Sequence, residues 1–263
     1  MADRQPRKGW YKLDNAGTLY SSIASSRVST VFRMTLGLTE EVDPEALQKA
    51  LDNVMVRFPY FNVTLRRGFF WYYYDHSENR PLVEKESHYP CKTIRQRKGV
   101  FPFRILHYGR YIHLEMSHSI CDGYGGLAFL KPLVLEYFKV KNGIVCKELG
   151  DIIDINSPVD PEEYEDAFKK YYEKRVPPPE KGEKAYHFPF GLLDKGQYLL
   201  LTGIVPVKEM LVQSRAHKCT LTQFITALYF ESIQEYILGL EKKKRARSGH
   251  TKANIAINVP VDL

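Results

Sequence analysis

Cysteine is scarce in this 263-residue chain: there are four, Cys91, Cys121, Cys146 and Cys219, and no two lie close together. That spacing offers neither the paired thiols of a zinc site nor a disulfide framework, and it fits free thiols in a reducing compartment. Long hydrophobic runs are also missing. No apolar stretch approaches the ~20 residues that a membrane-spanning helix requires, and the opening Met1 to Trp10 is polar and basic with no apolar segment behind it. A soluble, cytoplasmic protein without a membrane span is the expectation. No short repeat is evident, and basic residues are not interleaved with aromatics as in a nucleic-acid module, so no nucleic-acid partner is expected.

What is present is material for a core. The hydrophobic content is 44% and the aromatic content 13%, enough for one large domain or two small ones. The formal charge of +7 favours anionic partners without choosing among them. Its densest run, Lys242 to Arg247, follows an apolar helical pattern and reads as a solvated loop.

Taken in order, alternation from Phe32 onward within residues 18–38 suits a half-buried strand. Asp43 and Pro44 then cap and open a helix whose Leu47, Ala50, Leu51, Val54, Met55 and Phe58 share one face, and Pro59 stops it. Residues 60–74 read as two strands joined around Arg66, Arg67 and Gly68, with the aromatics Phe69 to Tyr74 in the sheet core. After a polar stretch, 75–98, a hairpin is expected from Phe101–His107 and Tyr111–His118 around Gly109 and Arg110. A helix follows with Leu127, Leu130, Val134 and Phe138 on one side.

Composition turns charged and proline-rich from 143 to 196, including a helical-looking stretch from Glu162 to Arg175. Order resumes with a strand at Tyr198–Val205, a short helix from about Val207 to His217, a longer helix behind a Thr220/Gln223 capping box, and a strand at Asn254–Leu263. Three regions are expected: a lobe at 1–142, a crossover at 143–196, and at 197–263 the start of a second lobe that is cut off.

The chemistry concentrates in Met116-Ser117-His118-Ser119-Ile120-Cys121-Asp122-Gly123-Tyr124-Gly125-Gly126. Histidine titrates near neutral pH and can act as a general base, and a neighbouring carboxylate can orient it or its loop. With this chain's composition, His-x-x-x-Asp-Gly is expected by chance roughly 0.02 times. By strand parity His118 continues the apolar face. A lone histidine there is more often a satisfied core residue, and the Asp122-Gly123 pair is what raises it to a catalytic candidate. Cys121, beside it, reads as a small apolar filler, with a Cys/His nucleophile as the alternative.

This segment resembles the active-site motif of the chloramphenicol acetyltransferase-like superfamily, which includes peptide-synthetase condensation domains and alcohol O-acyltransferases. Arg57-Phe58-Pro59-Tyr60-Phe61 and Asn258 to Leu263 stand in the order expected of that family. The resemblance implies an α/β (α+β) fold, a mixed sheet with flanking helices and an incomplete second lobe. It implies acyl transfer from a CoA or carrier-protein thioester to a hydroxyl or amine, with His118 as catalytic base and Asp122 and Gly123 as structural support. No permanently bound cofactor or metal is implied; acyl-CoA or a phosphopantetheinyl thioester is the co-substrate, a small molecule the acceptor, and an acyl carrier protein a further partner. Asp122 would pair with an arginine, with Arg57, Arg66 and Arg67 as candidates. The chain departs from the family where Ser117 replaces the first of two adjacent histidines, where Phe61-Asn62-Val63 replaces an arginine-rich segment, and in carrying no Asp-Phe-Gly-type motif. A non-catalytic binding or docking protein on the same fold is the alternative.

Overall fold

The computed structural model describes residues 10–25, 28–175, 177, 184–188, 191, 193–194, 197, 199, 201–244 and 254–257. They form two units, one comprising residues up to Lys174 with 194–197, the other Arg175–Leu193 with the residues from 198 onward.

In chain order, the first unit contains β1 (Trp10–Lys12), α1 (Asn15–Ile23), β2 (Val31–Gly37), α2 (Pro44–Arg57), β3 (Val63–Arg67), β4 (Tyr72–His76), β5 (Val83–Lys85), β6 (Phe103–Tyr108), β7 (Tyr111–Ser117), α3 (Gly123–Asn142) and the short α4 (Ala167–Lys170). Its strands make two sheets, β1-β4-β3 and β2-β7-β6-β5, antiparallel throughout except for the parallel β5–β6 pair. The fold is thus mixed α/β, as the sequence predicts.

The α2 expectation holds in detail. Asp43 Oδ1 accepts from the Glu45 and Ala46 amides at 3.0 and 3.1 Å, Pro44 takes the first turn, and Leu47, Ala50, Leu51 and Val54 are buried. Capping satisfies amides that the first turn leaves free, and the buried stripe then docks the helix on its neighbours. Against it lies α3, with Phe129 edge-on to Phe58, Phe61 and Phe103 at centroid distances of 5.2, 5.4 and 5.7 Å. The buried face of α3 is Phe129, Leu130, Leu133 and Tyr137, rotated from the expected one; Leu127 is exposed. The helix is rich in apolar residues on more than one side, so periodicity alone does not select the face that packs.

β7 is buried on both sides. Ile112, Leu114 and Met116 face the helices, while His113, Glu115 and Ser117 face the opposite way. That second face is covered by the polar stretch after β5: the Cys91 amide donates to Glu115 at 2.6 Å, and Arg104 donates to the Lys92 carbonyl at 2.5 Å. Glu115 has no exposure and is held from both flanking strands, by Arg33 of β2 at 2.6 and 2.9 Å and by Arg104 of β6. The strand register places all three side by side.

Other expectations need correction. Residues 15–23 form a helix, α1, ahead of the β2 strand. The polar stretch contains β5, which gains its stability from β6 rather than from its own polar residues. Phe69, Phe70 and Trp71 are not sheet core but the exposed tip between β3 and β4. The stretch from Glu162 to Arg175 holds only the end of a 3-10 turn, Pro161–Tyr164, and α4.

The second unit contains α5 (Val207–Ala216) and α6 (Leu221–Lys244). The expected capping box is present, Thr220 N donating to Gln223 Oε1 at 2.9 Å and Gln223 N to Thr220 Oγ1 at 3.2 Å. Leu201–Val205 is not a strand: a strand needs a neighbour, and no described residue pairs with it. Tyr198 and Leu200 of that expected strand lie outside the described residues. Of the expected strand at 254–263, Asn254 bridges Ala185 in parallel, and residues 258–263 lie outside the described residues. Among the described residues no helix is long and apolar enough to cross a membrane.

Candidate active site

β7 ends at Ser117, and His118 to Asp122 turn the chain into α3. The turn is pinned at both ends. The His118 amide donates to the Thr30 carbonyl at 2.8 Å, and the Ile120 amide to the Ser117 carbonyl at 3.0 Å. Asp122, in extended backbone, caps α3, its Oδ1 accepting from the Gly125 amide at 2.9 Å and its carbonyl from the Gly126 amide at 3.0 Å.

Two aromatic rings hold the imidazole. Tyr20 of α1 stacks on it at 4.7 Å and 20°, and Phe32 of β2 tilts against it, also at 4.7 Å. Each ring depends on a glycine. A Cβ at Gly17 would stand 2.7 Å from the Ser119 carbonyl oxygen, so only glycine lets α1 lie against the motif loop. A Cβ at Gly126 would stand 2.9 Å from the Phe32 ring, so α3 reaches that ring only without a side chain there. Gly123, the first residue of α3, is not crowded; its Cβ would meet only the Met34 methyl at 3.9 Å. The Ser119 carbonyl also accepts the Tyr74 hydroxyl, tying the loop to β4 of the other sheet.

Burial holds the His118 imidazole below the usual histidine range, against smaller upward pulls from the Asp122 carboxylate and the Cys121 backbone. Desolvation disfavours the charged ring. Burial thus favours the uncharged ring. Cys121 is shifted the other way. Burial, seconded by the Asp122 charge, pushes its thiol well above the usual cysteine range, and Sγ lies 2.8 Å from Met116 Sδ. Since only the thiolate is strongly nucleophilic, this shift favours the filler reading of Cys121 over the nucleophile.

The expected arginine partner of Asp122 is not found. The carboxylate is exposed, and among the described residues it forms no ion pair. Arg57 is buried and bidentate to Glu163 at 2.6 and 2.8 Å, Arg66 lies 3.7 Å from Asp75, and Arg67 sits over the Tyr72 ring. A helix cap already satisfies Asp122 without a cation, which is the physical reason the pairing is dispensable. Asp122→Ala is accordingly expected to cost about 1 kcal/mol in urea unfolding, and Asp122→Asn less, because asparagine also caps. A loss of about 3 kcal/mol or more would show a buried charge pair instead.

Beside the motif, Ser117 and Ser119 line a small recess of ≈ 20 Å³ together with Thr30, Leu65, Ile94 and Phe101. His118 is not among its lining residues. Sequence reasoning missed Gly17, Tyr20 and Tyr74 as neighbours of the motif. Asp14 was a usable signal, since it caps α1 by accepting from the Gly17 amide at 2.6 Å.

No family model and no curated protein matches the sequence. Among solved structures, the chain is similar to the starter condensation domain of rhizomide synthetase RzmA, at 12% identity and a TM-score of 0.42, over 53% of this chain and 40% of that one. It is similar to the X-domain from teicoplanin biosynthesis, at 13% and 0.43, over 56% and 36%. It is also similar to polyketide synthase associated protein 5 from Mycobacterium tuberculosis, at 16% and 0.40, over 55% and 37%. The matches thus span about two fifths of these structures' lengths.

Proposed function

We propose that this chain belongs to an acyltransferase that moves an acyl group from a CoA or carrier-protein thioester to a hydroxyl or amine, with His118 as the general base. The observation that carries the reading is the imidazole of the His-x-x-x-Asp-Gly motif, held at a strand end against two aromatic rings, with burial lowering its pKa. In this scheme the acceptor's oxygen or nitrogen attacks the thioester carbonyl carbon while its proton passes to His118. Collapse of the tetrahedral intermediate breaks the C–S bond, and the imidazolium returns the proton to the departing thiolate. The peptide N–H groups opening α3 favour developing negative charge nearby. Asp122 sets the start of that helix, and Gly123 continues it. The co-substrate is acyl-CoA or a phosphopantetheinyl thioester, no cofactor is bound permanently, and the site is assigned to the lobe at 1–142, with residues 197–263 opening a second lobe.

A non-catalytic binding protein on the same fold is the second reading, favoured by the exposed Asp122 carboxylate without a cation among the described residues. Thiol release from short-chain acyl-CoA in the presence of an alcohol or amine acceptor separates them, assayed in this chain and in any longer product of its reading frame.

The pH profile gives a second check. The base form is the active one, and burial lowers the pKa of His118. kcat/KM is therefore expected to be level through neutral pH and to fall with unit slope as pH drops through a point below 6.5. An inflection above 7 would assign the base to another group.

A further inference from the structure

The β3–β4 hairpin ends in Gly68-Phe69-Phe70-Trp71, and its turn breaks the usual chemistry of such turns. The Gly68 amide donates to the Trp71 carbonyl at 2.7 Å, so the tip is a closed turn with Phe69 and Phe70 at its centre. Tight hairpin turns normally carry glycine, asparagine or aspartate there. Phe69 is 94% exposed, Phe70 91% and Trp71 58%, so these three consecutive side chains contribute little to the core of their own unit. Large apolar groups held in water at a site that does not need them mark a surface that something else covers.

The surroundings indicate what covers it. Phe69 and Phe70 stand almost wholly clear of the rest of the protein rather than lining a groove for a peptide. Arg66 and Arg67 end the strand entering it, Arg67 being exposed with its guanidinium over the Tyr72 ring. Lys12, also exposed, pairs with Tyr73 across β1 and β4, and the chain as a whole carries a formal charge of +7. Phenylalanine and tryptophan at a protruding tip, backed by arginine and lysine, match the boundary between acyl chains and anionic headgroups.

We propose that the β3–β4 tip inserts into the surface of an anionic lipid bilayer, Phe69, Phe70 and Trp71 entering the headgroup boundary while Arg67 and Lys12 face the lipid phosphates. The association is peripheral and does not depend on the acyl-transfer reading.

The test is flotation of the purified chain with phosphatidylcholine vesicles, with and without about a third phosphatidylserine. The parent chain is expected to float with the anionic vesicles and to stay behind with the neutral ones, the binding weakening as salt is raised. F69S/F70S/W71S is expected to lose at least ten-fold in partitioning while its thermal unfolding stays unchanged, because the replaced side chains are exposed. In a Trp10→Phe background, where Trp71 is the only tryptophan, emission is expected to shift to the blue on adding anionic vesicles. Failure of the parent chain to float overturns the proposal, as does equal binding to neutral vesicles or undiminished binding by the triple variant. Dimerisation that the triple variant abolishes, without vesicle binding, assigns the tip to a second copy of the chain instead.

Discussion

On the proposed mechanism His118→Ala is expected to lower acyl transfer at least about 10²-fold while donor binding persists, which is the low end of what a positioned general base contributes. The loss is then expected to fall on kcat, because a general base acts on the acceptor's proton in the transition state. Cys121→Ala is the control in the same assay. Its thiol is buried and driven toward the protonated form, so removing it leaves most of the activity. Mass spectrometry under turnover supplies the opposing outcome: an acyl group accumulating on Cys121, with Cys121→Ala inactive, would replace the base mechanism by a nucleophilic one. If His118→Ala transfers acyl groups as well as the parent chain, the assignment of the base is wrong.

Glu115→Ala lowers stability by about 3 kcal/mol, read from urea unfolding, because it removes the fully buried carboxylate shared by two arginines and leaves Arg33 with only Glu86 and Arg104 with only His88 and the Lys92 carbonyl. Arg33 and Arg104 both donate to this carboxylate, and the Cys91 amide donates as well. The loss is a large part of the 5–15 kcal/mol that holds a typical domain together. Replacing the four charges of the cluster at once, as Arg33→Met, Glu86→Gln, Glu115→Leu and Arg104→Met, recovers much of it, since Glu86 is also paired with Arg33 and the penalty comes from unpaired charge rather than from a missing attraction. A change below about 1 kcal/mol for Glu115→Ala would mean that water reaches the cluster.

Those two residues stand three apart in the chain, yet only one was legible in the sequence. His118 stood out as a candidate through Asp122 and Gly123, a spacing that this composition produces by chance only roughly 0.02 times. Glu115 gave no signal, because a charged residue in an alternating strand is ordinarily the solvent-facing member. Its burial depends on a covering segment with almost no regular structure and on two arginines brought over by strand pairing. Helix α2 was readable because cap, proline and stripe agree, whereas α1 was not. The apolar residues of α1, Leu19 and Ile23, point to solvent, and Gly17 and Ser21 are what it buries. The aromatic tip was misread for a related reason: hydrophobicity suggested core, but the turn geometry puts residues 69–71 beyond the end of the ladder. Asp122's expected arginine came from family likeness, and the local cap made it unnecessary.

The Ser119 carbonyl receives the Tyr74 hydroxyl from one sheet, lies against Gly17 of α1, and sits on the strand end of the other sheet. The histidine loop is therefore a keystone rather than a flap. Its contacts join residues near 17, 74 and 119, separations of tens of residues along the chain, so no short local segment holds the site by itself. Opening the loop would mean parting the two sheets. The His118 amide, bonded to Thr30, continues the β2–β7 ladder of its own sheet, and its solvent exchange is expected to fall in the slow class.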